Sequence, residues 1–523
     1  MDSIKKVEDQ SAATKLNIDS IYGLDKGKNI EVYFWKPTAS DMLTAKSLIA
    51  DNNNLHAKYG LLSLPDFGFY DSSFIQEYVG YILSEFDELG IVPSYSIVTS
   101  PQTTTGGLVD LTIGVTNFQP SSNGKTASGV VFWNSETGLG KDADSETPML
   151  FNNKSSMLND VEAAHVVRHE FGHAMGLNHP QDVGLQTKYD SFKYTVMSYT
   201  YHPNLNGVYP VTLMMLDYLA LQQQGRLSTS YKNGANTQWF WSDISGPILA
   251  TIYDTGGEHD YISAMGHSTA SIIDLRDGHF SSYGVGVDGD TALENLAILW
   301  DSKIEDAIGS DNDDVLIGND IGNVLKGGKG NDFIYGNGLN YDTTNWNFSA
   351  AHKSAYAATV DTENNNIDDK DTIYGGEGND YIDGQSGNDS LYGDEGHDFI
   401  FGGMGDDSIE GGEGSDHLYG GDGKYALYDG ADTLNGGEGN DILEGGSGND
   451  KYIFTGQFGR DIILDSDSQG SLEFGGTTLS QLTQSAKDSI VYYDNIDNPT
   501  KKAIVIDEGN TKSLIISTDQ KRK

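Results

Sequence analysis

Residues 375–419 read GGEGNDYIDGQSGNDSLYGDEGHDFIFGGMGDDSIEGGEGSDHLY, five unbroken copies of a nine-residue unit G-G-x-G-x-D-x-U-x in which U is Leu or Ile. Six residues of each unit form a turn whose glycines supply positive φ and close backbone approach, and three form a short strand whose eighth position points inward. Ile382, Leu391, Ile400, Ile409 and Leu418 are therefore expected to stack as the core of a parallel β-roll. The same period recurs upstream in GSDNDDVLI, GNDIGNVLK and GGKGNDFIY (309–335) and downstream in GGEGNDILE and GGSGNDKYI (436–453). A non-repeating insert at 337–369 interrupts the array, and its Trp346, Phe348 and Tyr356 are expected to pack on the roll or offer a contact surface.

The sixth position of the unit places Asp314, Asp332, Asp380, Asp389, Asp398, Asp407, Asp416, Asp441 and Asp450 at one corner of successive turns. Carboxylates and turn carbonyls form an all-oxygen cage there, the preference of a hard cation such as Ca²⁺. Aligned carboxylates repel one another without cations, so this half is expected to be disordered when calcium is absent.

Over all 523 residues, 77 acidic side chains against 32 basic ones give a net charge of −45, which disfavours nucleic acid and anionic membrane surfaces as partners. The chain has no cysteine, which rules out a disulfide scaffold, a cysteine nucleophile, a cysteine-ligated zinc and a cysteine-switch pro-segment. The N-terminal stretch lacks the apolar core of a Sec signal peptide, and no run approaches the ~18 apolar residues of a membrane span. A soluble monomer is expected, exported, if at all, by another route.

Before the repeats the pattern mixes α and β. Residues 1–27 are polar and without clear periodicity, like a flexible leader or short pro-segment. NIEVYFW (29–35), LVDLTIGVT (108–116) and ASGVVFWN (127–134) read as strands, the last a candidate exposed edge for a bound peptide. SSFIQEYVGYILSEFDELG (72–90) and TLMMLDYLALQQQ (212–224) have helical spacing, each followed or closed by glycine. A third helix is predicted from the N-cap candidate Asn159, with Glu162 three residues on, to about Gly176.

That third helix carries HEFGHAMGLNH (169–179). His169 and His173, four apart, reach one ion from one helix face, and His179 supplies a third ligand after Gly176 turns the chain back. Three protein ligands leave a position open for water, as a catalytic zinc requires, and Glu170 is placed to take a proton from that water. His165 lies one turn earlier and is read as a partly buried or solvated residue without a ligand role.

The repeats resemble the calcium-binding repeats of the RTX family. HEFGHAMGLNHP together with VMSYT (196–200) resembles the serralysin family of secreted zinc endopeptidases, within the metzincin class. MLDYLALQ (215–222), IDLRDGHFSS (273–282) and 304–332 extend the resemblance, which is faint before residue 160. It implies an α+β chain: a metzincin zinc-protease domain (28–235), a connecting β segment (236–308), an RTX β-roll (309–456) and a C-terminal cap with an uncleaved export signal (457–523). It implies zinc at His169, His173 and His179, Glu170 as general base, Tyr199 as a displaceable fourth ligand that stabilises the tetrahedral intermediate, and Met197 as the methionine turn. It further implies protein or peptide substrates and type I secretion from a Gram-negative bacterium. YDTGGEHDYIS (253–263) is similar to a family calcium site, but His259 stands where the family has its second aspartate, so Asp254 and Asp260 are not carried over. The basic end STDQKRK also departs from the family's acidic-then-apolar terminus. The rival reading is a calcium-dependent adhesin or toxin-like binding protein with a silent protease domain.

Overall fold

Short runs rich in β-branched and aromatic residues in the first half pair into one six-stranded sheet. Its strands are β1 (Ile30–Phe34), β2 (Phe69–Tyr70), β3 (Tyr95–Val98), β4 (Leu111–Thr116), β5 (Gly129–Val131) and β6 (Thr147–Asn152). The order is β3-β1-β4-β6-β5, with β2 added to β4. β3, β1, β4 and β6 run parallel, while β5 is antiparallel to β6 and ends the sheet. The computed structural model describes residues 2–16, 30–34, 69–70, 73–91, 95–98, 111–116, 129–131, 147–152, 160–232, 236–241, 246–257, 259–338, 341–357, 370–421, 429–456, 458–465, 470–474, 477–479, 489–493, 502–507 and 512–517. The chain separates into two compact units, residues 3–231 with 248–253, and residues 1–2, 232–247 and 254–523.

Among the described residues, four helices belong to the first unit: α1 (Asp2–Leu16), α2 (Ser73–Glu88), α3 (Asp160–Ala174) and α4 (Met215–Gln223). α2 buries Val79, Ile82, Leu83 and Phe86 at three- and four-residue spacing, and Phe86 meets Phe171 of α3 edge-on at 5.9 Å. Arg168 of α3, only 2% exposed, bonds Glu85 at 2.9 and 3.2 Å, so its buried charge is paired. α3 ends where Gly176 takes φ +88°. Asn159, the expected cap, lies outside the described residues. Residues 2–16, within the stretch read from sequence as a flexible leader or short pro-segment, form a helix that buries Asp9, Ala12, Ala13 and Leu16. Its periodicity is weak because alanines make much of the buried face, so the sequence carries little apolar contrast.

In the second unit the nine-residue period becomes an eighteen-residue coil. Successive repeats alternate between two parallel sheets: Ile334, Ile382, Ile400, Leu418 and Leu443 align in one, and Leu325, Ile373, Leu391, Ile409 and Leu434 in the other. All ten are at most 1% exposed, and they form the dry interior between the sheets. The sheets end in antiparallel strands from the region read as a cap, among them Lys512–Ser517 on Arg460–Asp465 and Thr477–Leu479 on Ser471–Phe474. The insert forms a 3-10 turn (Thr343–Asn345) and the helix α5 (Ala350–Ala357). It packs on the outside of one sheet: Tyr341, Trp346 and Tyr356 are buried with Ile272, Val315, Ile317 and Tyr335, and Phe348 lies against them. Trp346 Nε1 donates to the Tyr335 hydroxyl at 3.2 Å, and the Tyr356 hydroxyl donates to the Phe280 carbonyl at 2.8 Å. Among the described residues, no helix is long and apolar enough to cross a membrane.

Candidate metal centre and aspartate ladders

One face of α3 buries Ala163, Val167, Phe171 and Ala174, which fixes the direction in which His169 and His173 point. After Gly176, Leu177 N returns to the Gly172 carbonyl at 2.9 Å and the chain brings His179 back over the helix. His179 Nε2 lies 3.2 Å from His169 Nε2 and 2.9 Å from His173 Nε2. The three imidazoles are the one His, Cys, Asp or Glu group among the described residues with metal-binding spacing. Glu170 is buried at 5% exposure.

The outer nitrogens decide what these rings can do. His169 Nδ1 donates to the Val196 carbonyl at 2.8 Å, His173 Nδ1 to the Leu177 carbonyl at 2.8 Å, and His179 Nδ1 to Asp182 Oδ2 at 2.9 Å. Those oxygens can only accept, so each Nδ1 carries a proton, and in the neutral ring each Nε2 is left with its lone pair. Burial, then the neighbouring His179, pulls the His169 pKa down to about 4, so that ring is neutral near pH 7. Three imidazole Nε2 atoms that converge on one point, with their outer nitrogens held by oriented partners, suit a zinc ion with a position left open. The Tyr199 hydroxyl donates to His179 Nε2 at 2.7 Å, and its ring is 60% exposed, so it can swing.

Met197 is fully buried under α3, and a Cβ on Gly172 would overlap its Sδ. The glycine inside the histidine motif is thus required by the methionine beneath it. Asp217 of α4, fully buried, accepts from Thr195 Oγ1 at 2.5 Å, Val196 N at 2.8 Å and Met214 N at 3.0 Å. It pins the turn whose Val196 carbonyl orients His169, and burial pushes its pKa up to about 7. Asp182 and Asp217 were not singled out from the sequence. Asp182 follows a ligand by three residues and offers a weak cue, whereas Asp217 sits in an ordinary apolar helix. His165 is buried between Phe192 and Tyr209, at 4.6 and 5.1 Å between ring centres, and stands outside the triad.

In the roll, position-six aspartates form two ladders. Asp332 N donates to Asp380 Oδ1, Asp380 N to Asp398, Asp398 N to Asp416, Asp416 N to Asp441 and Asp441 N to Asp461, at 2.7–3.1 Å. The other ladder runs Asp371, Asp389, Asp407, Asp432 and Asp450. The second oxygens of Asp332, Asp380, Asp398, Asp407, Asp416, Asp432, Asp441 and Asp461 are buried with no hydrogen-bond partner. A Cβ on Gly375, Gly393 or Gly402 would overlap such an oxygen and crowd or overlap a glycine carbonyl of the next coil. The space held open there is an oxygen-lined cradle, which fits a hard cation. Burial above all pushes Asp332, Asp407 and Asp432 up to about 9 and Asp398 and Asp461 to about 8. Burial thus disfavours the ionised form of these carboxyls unless a cation balances their charge.

Asp314 heads the first ladder: its N donates to Asp332 Oδ1 at 2.7 Å, and its own oxygens accept from Ser310 N and Oγ and from Ser271 N. Asp371, Asp432 and Asp461 belong to the ladders and were missed, because interruptions remove their glycine turns. The D-x-U triplets DTI, DTL and DII were the available signal. Asp254 and Asp260 are both fully buried, and burial, then the charge of Asp260, pushes Asp254 up to about 6.

Residues 308–340, 367–400, 401–424 and 428–463 match the RTX calcium-binding nonapeptide repeat, in four copies. A serralysin of Photorhabdus laumondii subsp. laumondii is 33% identical over 184 residues, 30% of this chain and 37% of that protein. The chain is a relative of the serralysins. A serralysin of Proteus mirabilis is 31% identical over 181 residues, 30% of this chain and 35% of the relative. A metallopeptidase of Pseudomonas marginalis is 28% identical over 264 residues, 44% of this chain and 52% of the relative. The matched stretch thus spans between about a third and a half of these relatives' length.

Proposed function

We propose that this serralysin relative is a secreted zinc endopeptidase whose RTX roll binds calcium. The observation that carries the reading is the convergence of three histidine Nε2 atoms on one point, with Glu170 buried next in the chain to His169. A zinc ion at that point supplies a Lewis acid that polarises a peptide carbonyl and acidifies water. Glu170 accepts the proton released as water attacks the carbonyl carbon, and returns it to the departing amine nitrogen. The Tyr199 hydroxyl, able to leave His179, donates to the oxygen that becomes negative during attack. Met197 and Asp217 hold the turn that orients His169. β5 ends the sheet among the described strands, and an extended peptide would bind along it as an added strand.

Calcium held by the ladder aspartates, with Asp371, Asp432 and Asp461 joining the expected set, balances the charge of these buried carboxyls. Folding of the roll is then coupled to the calcium available outside a Gram-negative cell after type I export. A binding protein without activity has no use for a buried Glu170 next to a histidine triad. The test is casein hydrolysis by the wild type and by Glu170→Ala, each with and without a chelator. The expected result is activity in the metal-replete wild type alone, and equal activity in both proteins would refute the mechanism.

A further inference from the structure

Helix α1 touches the metal centre's support at two places. The Leu16 carbonyl, at its C-terminal end, accepts from Asn178 N at 2.8 Å, and Asn178 directly precedes His179. Asp9, 2% exposed, accepts from the Tyr189 hydroxyl at 2.9 Å, and Glu8 pairs with Lys188 at 2.9 Å. Residues 178 and 188–189 bound one loop, and between them lie His179 and its carboxylate partner Asp182. Inside the loop the described bonds are local: Asp182 N to the His179 carbonyl and Leu185 N to the Pro180 carbonyl, both at 3.1 Å. α1 also grips α4, through Gln223 Nε2 to the Gln10 carbonyl at 2.9 Å.

We propose that α1 is a strap that positions the third histidine, with Asp9 and Tyr189 as its positioning residues. The inference rests on the zinc reading of the triad and extends it. His169 and His173 are set by a helix, where each position is fixed by its neighbours. His179 stands on a loop, and a loop holds a ligand to a fraction of an ångström only if both ends are tied. The Leu16 carbonyl ties one end and Asp9 the other. The Asp9–Tyr189 bond is buried, so removing Asp9 takes away the acceptor of the Tyr189 hydroxyl at a place where water does not readily replace it. Residues 2–16 thereby belong to the working site instead of being a removable leader.

The test measures zinc affinity by competition with a chromophoric chelator, and hydrogen exchange of residues 178–189 in metal-free protein, with calcium saturating throughout. The proteins are the wild type, Asp9→Ala, Tyr189→Phe, their double variant and Lys188→Ala. Asp9→Ala and Tyr189→Phe should each weaken zinc binding about tenfold, the lower end of what outer partners of a metal site are worth. The double variant should be no worse than the single ones, because both remove the same bond. Exchange of the loop should accelerate in all three while α3 stays protected. Lys188→Ala, at an exposed pair, should change zinc affinity less than twofold. Unchanged loop exchange and zinc affinity within twofold in Asp9→Ala and Tyr189→Phe would overturn the strap, even with a lower melting temperature. A wild type that binds no zinc would overturn the triad reading, whereas the exchange experiment tests the strap without metal.

Discussion

The metal centre and the roll both bury lone pairs that face one another, but they assemble them in opposite ways. The roll repeats one local rule, so every coil brings its own aspartate and each ladder rung resembles the next. The metal centre is made once, from α3, the loop carrying His179, the turn at Val196–Met197 and the buried carboxylate of α4. Repetition should make the roll tolerant of a single defect. Convergence makes the centre sensitive to each part.

The largest effect should come from calcium withdrawal. In chelator at neutral pH the roll should lose its β signal by circular dichroism, while the helices of residues 3–231 stay protected from hydrogen exchange. A roll that keeps its signal would erase the contrast. Proton binding should act next in size. The ladder carboxyls have folded pKa values raised from the usual ~3.9 to about 6 for Asp416 and about 9 for Asp332 and Asp407. The metal-free folded roll therefore binds more protons than the unfolded chain. Its stability is greatest below pH ~4 and declines as pH rises from there until the highest folded value, about 9, is passed. In chelator, the roll should show more ordered sheet at pH 5 than at pH 8, and the reverse order would contradict the burial argument.

A smaller effect is expected in the first unit. Asp217→Asn places an amide group where two backbone N–H groups point, which should cost ~1–3 kcal/mol in urea unfolding of that unit. Gly172→Ala, which presses a methyl on Met197, should cost a similar ~1–3 kcal/mol. Stability unchanged in both would mean the turn is held by something else. The smallest effect belongs to Asp407→Asn, one rung of a ladder. It should raise the calcium midpoint of folding slightly without abolishing the sheet, since neighbouring coils contribute independently. Complete loss of calcium-induced folding would show that the rungs act as one unit.

The period of nine was enough to establish the parallel roll, its inward Leu and Ile and most of its aspartates, because each repeat encodes its own turn and strand. The histidine motif was equally legible, since helix geometry alone brings His169 and His173 to one face. What stayed hidden depends on contacts between distant residues. Adjacent repeats fall in opposite sheets, so the coil is eighteen residues and the ladders bond every second copy. Asp371, Asp432 and Asp461 enter only because the insert and the shorter interruption loop out without shifting the ladder register. The docking of α1 rests on alanines, Leu16 and a buried Asp9, a face too faint to stand out as a pattern. By itself, then, the sequence determined the repeating half and the two histidines of one helix, where spacing along the chain is spacing in space. Only the tertiary structure decided how His179, Asp182, Met197 and Asp217 meet them, because those positions are fixed by packing and buried hydrogen bonds across up to two hundred residues of chain.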